Sequence, residues 1–260
     1  VSGGDDRGYY SFSGNYADQE GIIKNSGYKR YALRANISRK VTDWLEVGTN
    51  QSFTSSTTDF ANTLSFNTGV VRSALLFPPT YGPNMDTTTA DDLNWLAANP
   101  GAYVRSAIDQ LNGSNYFSSS FVQIKFLKNF TFRQNLGLGY NIQDRKSYYG
   151  RETQEGKTPI NGKASVGHNT WKSLTAESIL TYDNTFAKIH HVNVMGAFTL
   201  ESSNWTNDQQ VATNFPDDLT GANDMGRALD KATLSGDKGQ QRLASFLGRV
   251  NYTLADKYIL

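Results

Sequence analysis

The sequence predicts an all-β fold, an antiparallel transmembrane β-barrel segment with short turns at one end of its strands and long loops at the other. Two observations predict it: apolar and polar side chains alternate along several stretches, and the links between those stretches alternate between short and long. Residues 130–143, FTFRQNLGLGYNIQ, show the alternation best. Because successive side chains of a strand point to opposite faces, this stretch has one apolar face and one polar face.

Length and composition set the first limits. The chain has 260 residues and a formal net charge of +1, which gives no electrostatic argument for a nucleic-acid partner. Cysteine is absent, which rules out disulfides and thiolate chemistry. The chain contains 14 tyrosines and 14 phenylalanines, yet no apolar run approaches the roughly 18 residues of a spanning helix. This balance suits a soluble β-protein, or a barrel in which every second strand residue is apolar.

The first four predicted strands occupy residues 9–16, 30–38, 44–53 and 118–126. Each has apolar side chains at every second position and polar side chains between them, as a strand with one buried face requires. Their apolar positions are Tyr10, Phe12 and Tyr16; Tyr31, Leu33 and Ile37; Leu45, Val47 and Phe53; and Val122, Ile124 and Phe126.

The other four predicted strands occupy residues 130–143, 174–182, 191–201 and 245–254, and a ninth begins at Lys257. Their apolar positions include Phe132, Leu136 and Leu138; Leu174, Leu180 and Tyr182; Val192, Val194 and Phe198; and Phe246, Val250 and Tyr252. A strand of about ten residues at roughly 3.3 Å per residue, tilted near 45°, rises about 24 Å, which matches the apolar band of a barrel.

The links between these strands alternate in length without exception. The short links fall at 3–7, 39–43, 127–129, 183–190 and 255–256, and the long ones at 17–28, 56–115, 144–170 and 202–241. Outer-membrane barrels have short periplasmic turns and long extracellular loops, whereas a soluble sandwich has no reason to keep its long loops at one end. The alternative from another class is a soluble or surface-exposed β-sandwich, an adhesin or a carbohydrate-binding protein.

The alternation also assigns side chains to the two sides of a barrel wall. The residues expected to face lipid are Leu33, Val47, Phe132, Leu136, Leu138, Val194 and Val250. Charged and amide side chains keep their solvation in a watery or plugged lumen, so those expected there are Arg34, Arg133, Asn135, Glu177 and Arg249. Aromatic residues near strand ends are expected to form two interfacial girdles, among them Tyr9, Tyr16, Tyr28, Tyr31, Phe130, Tyr140, Trp171 and Tyr182.

The long loops carry the candidate contacts for a substrate. Two interpretations are open for the aromatic side chains there: they bind a sugar ring or a covering protein, or they hold the loops together internally. The substrate-binding candidates are Tyr81, Trp95, Tyr148 and Trp205. A helix is predicted before Pro78 by apolar residues at helical spacing, which are Val70, Val71, Ala74 and Leu75. Acidic groups near residues 86–94 and 217–218 lack the order of a calcium loop, which favours solvated turns.

No pattern of side chains predicts catalysis, a cofactor or a metal site. The sequence contains no nucleophile elbow, zinc-protease helix or phosphate-binding loop. His190 and His191 are adjacent, so on a strand they point to opposite sides and make a poor chelate. A hydrolytic set of Ser173, Glu177 and His191 has no support from spacing.

Residues 9–38, YYSFSGNYADQEGIIKNSGYKRYALRANIS, carry a more specific pattern. They resemble the barrel region of SusC/RagA-like TonB-dependent transporters, which show an aromatic-Ser-Gly strand, an Asp-Gln-Glu-Gly-Ile-Ile loop start and then Arg-Tyr-x-x-Arg-x-Asn. Here these motifs are residues 12–14, residues 18–23, and the set Arg30, Tyr31, Arg34 and Asn36. The segments LTYDNTFAKIHHVNVMGAF and SFLGRVNYTLADKYIL resemble later hairpins of that barrel, so the resemblance covers nearly the whole chain.

The resemblance implies that residues 1–260 form about eight strands of a barrel of about 22 strands, with the plug domain and the remaining strands outside this sequence. It implies TonB-dependent import of nutrients across the outer membrane of a Gram-negative bacterium, with neither enzyme activity nor a cofactor. The implied partners are a SusD-like surface lipoprotein that delivers glycans or peptides, the TonB–ExbB–ExbD complex acting through the plug, and outer-membrane lipid.

Overall fold

The structure is a computed structural model that describes residues 1–61, 69–82, 99–157, 159–230, 232–255 and 257–259. Ten strands form one antiparallel sheet in which each strand pairs with its neighbours in the sequence. The strands are β1 (Ser2–Asp5), β2 (Gly8–Glu20), β3 (Gly27–Lys40), β4 (Leu45–Asp59), β5 (Ala107–Phe126), β6 (Phe130–Tyr149), β7 (Lys163–Phe186), β8 (His190–Thr213), β9 (Thr233–Leu254) and β10 (Tyr258–Ile259). Two short helices, α1 (Val70–Leu76) and α2 (Pro100–Ser106), lie between β4 and β5.

The sheet confirms the predicted antiparallel all-β fold. The eight predicted strands correspond to β2–β9, and the predicted ninth corresponds to β10. The predicted length of about ten residues is wrong for β5–β9, which contain 20 to 24 residues each. Both faces of these strands become polar toward the long links, so the alternation ends there although the backbone ladder continues.

The links confirm the predicted alternation of short and long. The short links 6–7, 41–44, 127–129, 187–189 and 255–257 lie at one end of the sheet, and the long links 21–26, 60–106, 150–162 and 214–232 lie at the other. The first long link is shorter than predicted because β2 and β3 extend into it. Leu127 and Lys128 both adopt positive φ angles, as do Ala187 and Lys188, and each pair reverses the chain within three residues.

Cross-strand pairing shows which side chains share a face, since directly paired residues lie on the same side of a sheet. Followed across the ten strands, it puts one set on what we call the apolar face: Leu33, Val47, Phe132, Leu136, Leu138, Val194 and Val250. It puts a second set on the opposite, polar face: Arg34, Arg133, Asn135, Glu177 and Arg249. The contact of these faces with lipid and with a lumen remains a prediction.

Neither face is covered by a second sheet in the part of the chain that the structure describes. A β-sandwich buries the apolar faces of two sheets against each other. Here Leu33 is 61% exposed and Val250 is 66% exposed. The alternative β-sandwich architecture is therefore wrong for these residues.

Aromatic side chains bound a band on the apolar face. At the short-turn edge, the Phe130 ring lies 5.5 Å from the Phe126 ring and 4.9 Å from the Tyr182 ring, measured between centroids. The opposite edge of the band carries Tyr16, Tyr31, Phe53, Tyr116 and Tyr140. Three aromatic residues predicted for the girdles lie on the polar face instead, because they fall on the other parity of their strands: Tyr9, Tyr28 and Trp171.

A small core closes the long-link end of β6–β8 on the side of the apolar face. Phe215 is 1% exposed, and its ring meets that of Tyr148 edge to face at 5.5 Å. Ala164, Ala212 and Ala222 complete this core, and the Tyr148 hydroxyl donates a hydrogen bond of 2.7 Å to Asp218. Tyr148 therefore anchors the link 214–232.

A polar contact fastens the same link. The Arg227 guanidinium and the Asp217 carboxylate form an ion pair at 2.5 Å, and the backbone N–H of Leu219 donates to Asp217 at 3.0 Å. The backbone N–H of Leu219, followed by Arg227, lowers the pKa of Asp217 below its ordinary value. The carboxylate of Asp217 is ionised at neutral pH. It holds together the two ends of the segment 217–227.

The helices α1 and α2 belong to the link 60–106. α1 confirms the predicted helix before Pro78, whereas α2 was not expected from the sequence. Asn99 caps α2 through its side chain, and Pro100 occupies the first helical position. Tyr103 of α2 is buried; its hydroxyl donates to Glu155 at 2.9 Å and accepts the backbone N–H of Gly69. Burial, followed by the nearby Glu155 carboxylate, raises the pKa of Tyr103 above its ordinary value.

We expect Phe215→Ala to release the link 214–232 from the sheet. Removal of a fully buried ring leaves a cavity and costs about 3–5 kcal/mol. The measurement is hydrogen exchange in the full-length protein, which should accelerate in residues 214–232 while β6–β8 remain protected. Leu219→Ala removes a side chain that is 88% exposed and is the control. Unchanged exchange in Phe215→Ala would contradict the anchoring role.

Candidate functional site on the polar face

A connected set of polar side chains crosses the middle of the polar face. Arg133 donates to Asn135 at 2.9 Å and to Gln123 at 3.3 Å, and Asn135 donates to Glu177 at 2.7 Å. The Arg133 guanidinium also lies 3.7 Å from the centroid of the Phe121 ring, a cation–π contact. Because Asn135 connects Arg133 to Glu177, the two opposite charges sit in one hydrogen-bonded network. The middle of the polar face is therefore locally ordered by hydrogen bonds.

Two tryptophans form a stacked pair nearer the long links. Trp171 on β7 pairs directly with Trp205 on β8, and the two rings are parallel within 14° with centroids 5.5 Å apart. Parallel displaced rings attract each other through their quadrupoles and through dispersion. Trp171 is 45% exposed, so this tryptophan pair presents aromatic surface on the polar face.

Strand β9 fixes the position of Trp205. The indole N–H of Trp205 donates to Asp237 at 3.2 Å. The Trp205 ring covers Gly239, where an added Cβ atom would overlap the ring. The tryptophan pair thus depends on two residues of β9: Asp237, which accepts the indole hydrogen bond, and Gly239, which leaves room for the Trp205 ring.

A polar cavity of about 490 Å³ adjoins the tryptophan pair on its long-link side. The carboxylates of Asp208 and Asp237 line it together with uncharged amide and hydroxyl side chains, which include Ser165, Asn169, Asn207, Gln209 and Ser235. Arg145 lines one edge of the cavity, and its guanidinium binds the carboxylate of Asp109 through two hydrogen bonds of 2.9 and 2.7 Å. The positive charge of Arg145 is thereby neutralised by the Asp109 carboxylate.

Further amides flank the pair on the side of β5 and β6. Asn141 pairs directly with Trp171 across β6 and β7, and its side chain donates to Asn115 at 2.5 Å. This part of the polar face therefore presents aromatic surface. Amide groups that donate and accept hydrogen bonds border it.

The structure places the four predicted loop aromatics in different environments. Tyr81 lies in the turn after α1, is 38% exposed and has its ring 6.0 Å from that of Phe77. Tyr148 is buried against Phe215, which agrees with the alternative that a loop aromatic holds the loops together internally. Trp205 lies on strand β8 rather than in a loop. Trp95 falls outside the described residues.

Sequence reasoning missed the partner of Trp205. The pattern assigns Trp171 to a membrane girdle because an aromatic residue near a strand end suits either face. A usable signal exists: Trp171 and Trp205 lie at equal sequence distances from Lys188, which sits in a tight turn. A hairpin centred on Lys188 brings the two tryptophans into direct register.

The geometry does not support a hydrolytic set. His191 pairs with Thr185, twelve residues along β7 from Ser173, which corresponds to roughly 40 Å at about 3.3 Å per residue. His191 contacts Asp183 at 3.2 Å near the short turn. Among the residues that the structure describes, no group of His, Asp and Glu side chains could hold a metal ion. No helix in those ranges is both long and apolar enough to cross a bilayer.

We expect Gly239→Ala to break up the tryptophan pair. The new methyl group would occupy the place of the Trp205 ring, which must then rotate away and lose its stacking on Trp171. The measurement is near-ultraviolet circular dichroism of the full-length protein, where the tryptophan bands produced by the fixed environment of the pair should weaken. Gly248→Ala is the control on the same strand, because nothing lies within 4 Å of its added Cβ. Tryptophan bands that keep their full intensity in Gly239→Ala would contradict this packing.

Known proteins share both sequence and fold with this chain. No protein-family model matches it. Three proteins of Formosa agariphila are similar along its whole length: TonB-dependent receptor P3 is 26% identical over 266 residues, P26 is 23% identical over 270 and P39 is 25% identical over 275. The alignments cover 99 to 100% of this chain but only 24 to 26% of the relatives. The chain therefore spans about a quarter of the length of the curated relatives that it matches.

Solved structures show the same fold. The RagAB peptide transporter matches with a TM-score of 0.78 and 17% identity, over 98% of this chain and 29% of the other. The RagAB peptide importer in the closed-closed state matches with a TM-score of 0.77 and 18% identity, over 97% of this chain and 29% of the other. The chain is thus similar in sequence to named TonB-dependent receptors, and it shares its fold with the RagAB transporter structures.

Proposed function

We propose that this chain forms part of the wall of an outer-membrane barrel that imports nutrients in a TonB-dependent manner. The observation that carries the proposal is the two-faced sheet, with a continuous apolar band on one face and a hydrogen-bonded polar network on the other. The similarity to receptors and transporters supports import, and it gives no support to an enzyme.

The apolar band has the height of an outer-membrane bilayer. Phe130 and Tyr140 bound it on β6 and lie ten residues apart. At about 3.3 Å per residue and a tilt near 45°, this separation corresponds to about 23 Å across the membrane, close to the roughly 25 Å band of such barrels. In this proposal lipid covers Leu33, Leu136 and Val194, the short turns lie in the periplasm and the long links lie outside the cell.

The polar face lines the path of the substrate. A lumen filled by water or by a plug keeps the charges of Arg34, Arg133 and Glu177 solvated or hydrogen-bonded, which lipid does not. In lipid the exposed edges of β1 and β10 require strand partners, which the rest of a closed barrel supplies. TonB–ExbB–ExbD would act on a plug from the periplasmic side.

The chemistry of the tryptophan pair and its cavity suits a neutral glycan better than a charged peptide. The C–H groups on one side of a sugar ring carry small positive charges and stack on the negative face of an aromatic ring. Sugar hydroxyls donate and accept hydrogen bonds, as do Asn169, Asn207 and Gln209 in the cavity lining. Arg145 is the one cation among the described residues of the lining and is already bound to Asp109, so this lining offers no free cation to the carboxylate of a peptide.

A SusD-like surface lipoprotein is the proposed partner at the extracellular mouth. Ile22, Leu75 and Leu219 lie in the long links, and their side chains are largely exposed. Exposed apolar side chains at the mouth of a pore suit contact with a protein that covers it.

Growth on single nutrients tests this proposal. In cells carrying the full-length protein, replacing both tryptophans (Trp171→Ala with Trp205→Ala) should slow growth on one class of neutral oligosaccharides, because each lost stacking contact weakens binding by roughly 0.5–1.5 kcal/mol. The measurement is growth rate on a panel of limiting oligosaccharides and oligopeptides. Trp44→Ala, in a short turn, is the matched control and should grow as the wild type does.

The outcomes separate the levels of the proposal. Loss of growth on peptides instead of oligosaccharides would overturn the substrate class. Deletion of the whole protein without effect on any nutrient, or its recovery in the soluble fraction without detergent, would overturn import through a membrane barrel.

A further inference from the structure

The apolar face changes character on β7–β9 just beyond its band. The last apolar positions are Leu174, Leu200 and Ala244, and the next positions on the same face are Lys172, Ser202 and Arg242. Further along lie Asn204 and Gln240, which pair with each other, and then Lys238. Three cations therefore lie where the apolar band ends at the long-link side.

These cations surround one neutral residue, Asn204. Lys172 pairs directly with Asn204 from β7, and Gln240 pairs with it from β9. Arg242 and Lys238 flank Gln240 on the same face of β9. With strands about 4.8 Å apart and same-face residues about 6.7 Å apart, the three Cα atoms lie within about 8 Å of the Asn204 Cα. We call Lys172, Lys238 and Arg242 the cation triangle.

The charges of the cation triangle are not neutralised by the protein. None of its three members takes part in an ion pair with a described residue. The Lys172 ammonium lies 5.2 Å from the centroid of the Tyr140 ring, at the aromatic edge of the band. Lys29 on β3 also lies just beyond the band on this face. Its charge is neutralised, because it forms an ion pair with Asp18 of β2 at 3.6 Å.

On β6 and β8 the acidic groups of this face lie further from the band. Asp144 contacts the His168 ring at 2.5 Å, and Asp208 pairs in register with His168 and Gly236. Both carboxylates stand beyond the cation triangle toward the long links. The region next to the band is therefore positive, and the region above it carries the compensating negative charge.

We propose that the cation triangle binds the phosphate groups of the anionic glycolipid in the outer leaflet. This inference rests on the proposed membrane orientation, which puts the triangle at the level of the lipid headgroups. Guanidinium and ammonium groups bind phosphate oxygens through charge-assisted hydrogen bonds, and basic residues at a membrane boundary hold anionic headgroups. The amides of Asn204 and Gln240 lie between the cations and can bind sugar hydroxyls.

Native mass spectrometry of the full-length protein in mild detergent tests the inference. The probe is lipid A with two phosphate groups, compared with the same lipid after enzymatic removal of both. The triple variant Lys172→Gln, Lys238→Gln, Arg242→Gln should bind the phosphorylated lipid on the order of 100-fold more weakly, about fivefold for each cation. Added salt should weaken wild-type binding, since the contact is electrostatic and solvent-exposed.

A control triple variant removes the same charge elsewhere: Lys125→Gln, Lys128→Gln and Lys188→Gln, all near the short turns. It should bind the phosphorylated lipid as the wild type does. Equal binding by the triangle variant and the wild type, or equal binding of the two lipids by the wild type, would overturn the inference. Fractionation of the same strains keeps the two proposals separate, because a protein absent from the outer membrane would overturn the proposed function instead.

Discussion

The register of the antiparallel ladder is the constraint on which the other features of this molecule depend. Directly paired residues share a face, so a slip of one residue between two strands would move every side chain of one of them to the wrong side. With the observed register, Val194 meets Val250 and Trp171 meets Trp205. Short turns such as the one at Ala187 and Lys188 hold that register at one end, which leaves the long links free to vary.

The same register gives one strand an apolar face and a polar face. On β6, Leu136 and Leu138 belong to the apolar band, whereas Arg133 and Asn135 belong to the hydrogen-bonded network of the polar face. The ladder then continues past the band, where the strands carry the cavity on one side and the loop core around Tyr148 on the other. The sheet is thus continuous in its backbone, and only its side chains distinguish the apolar band, the polar face and the region near the long links.

Much of this organisation could be predicted from the sequence, because period-2 alternation reports directly on faces. Residues 130–143 predict both faces of β6. Alternation gives no signal where both faces of a strand are polar. The expected length of about ten residues per strand was therefore far shorter than the 24 residues of β7 and of β8. Burial of Tyr148 could not be predicted because it depends on Phe215, which is distant in sequence. Trp171 was assigned to the wrong face because aromatic residues near strand ends suit either one.

Nitroxide accessibility along residues 132–139 tests most directly whether one face meets lipid and the other a polar lumen. The chain contains no cysteine, so single Cys substitutions can be labelled selectively within it. In the full-length protein in bilayers, labels at positions 132, 134, 136 and 138 should respond to oxygen, which concentrates in lipid. Labels at 133, 135, 137 and 139 should be shielded from oxygen and respond, where water reaches them, to a polar nickel complex. Accessibility that does not alternate, or that alternates in the opposite phase, would contradict the account.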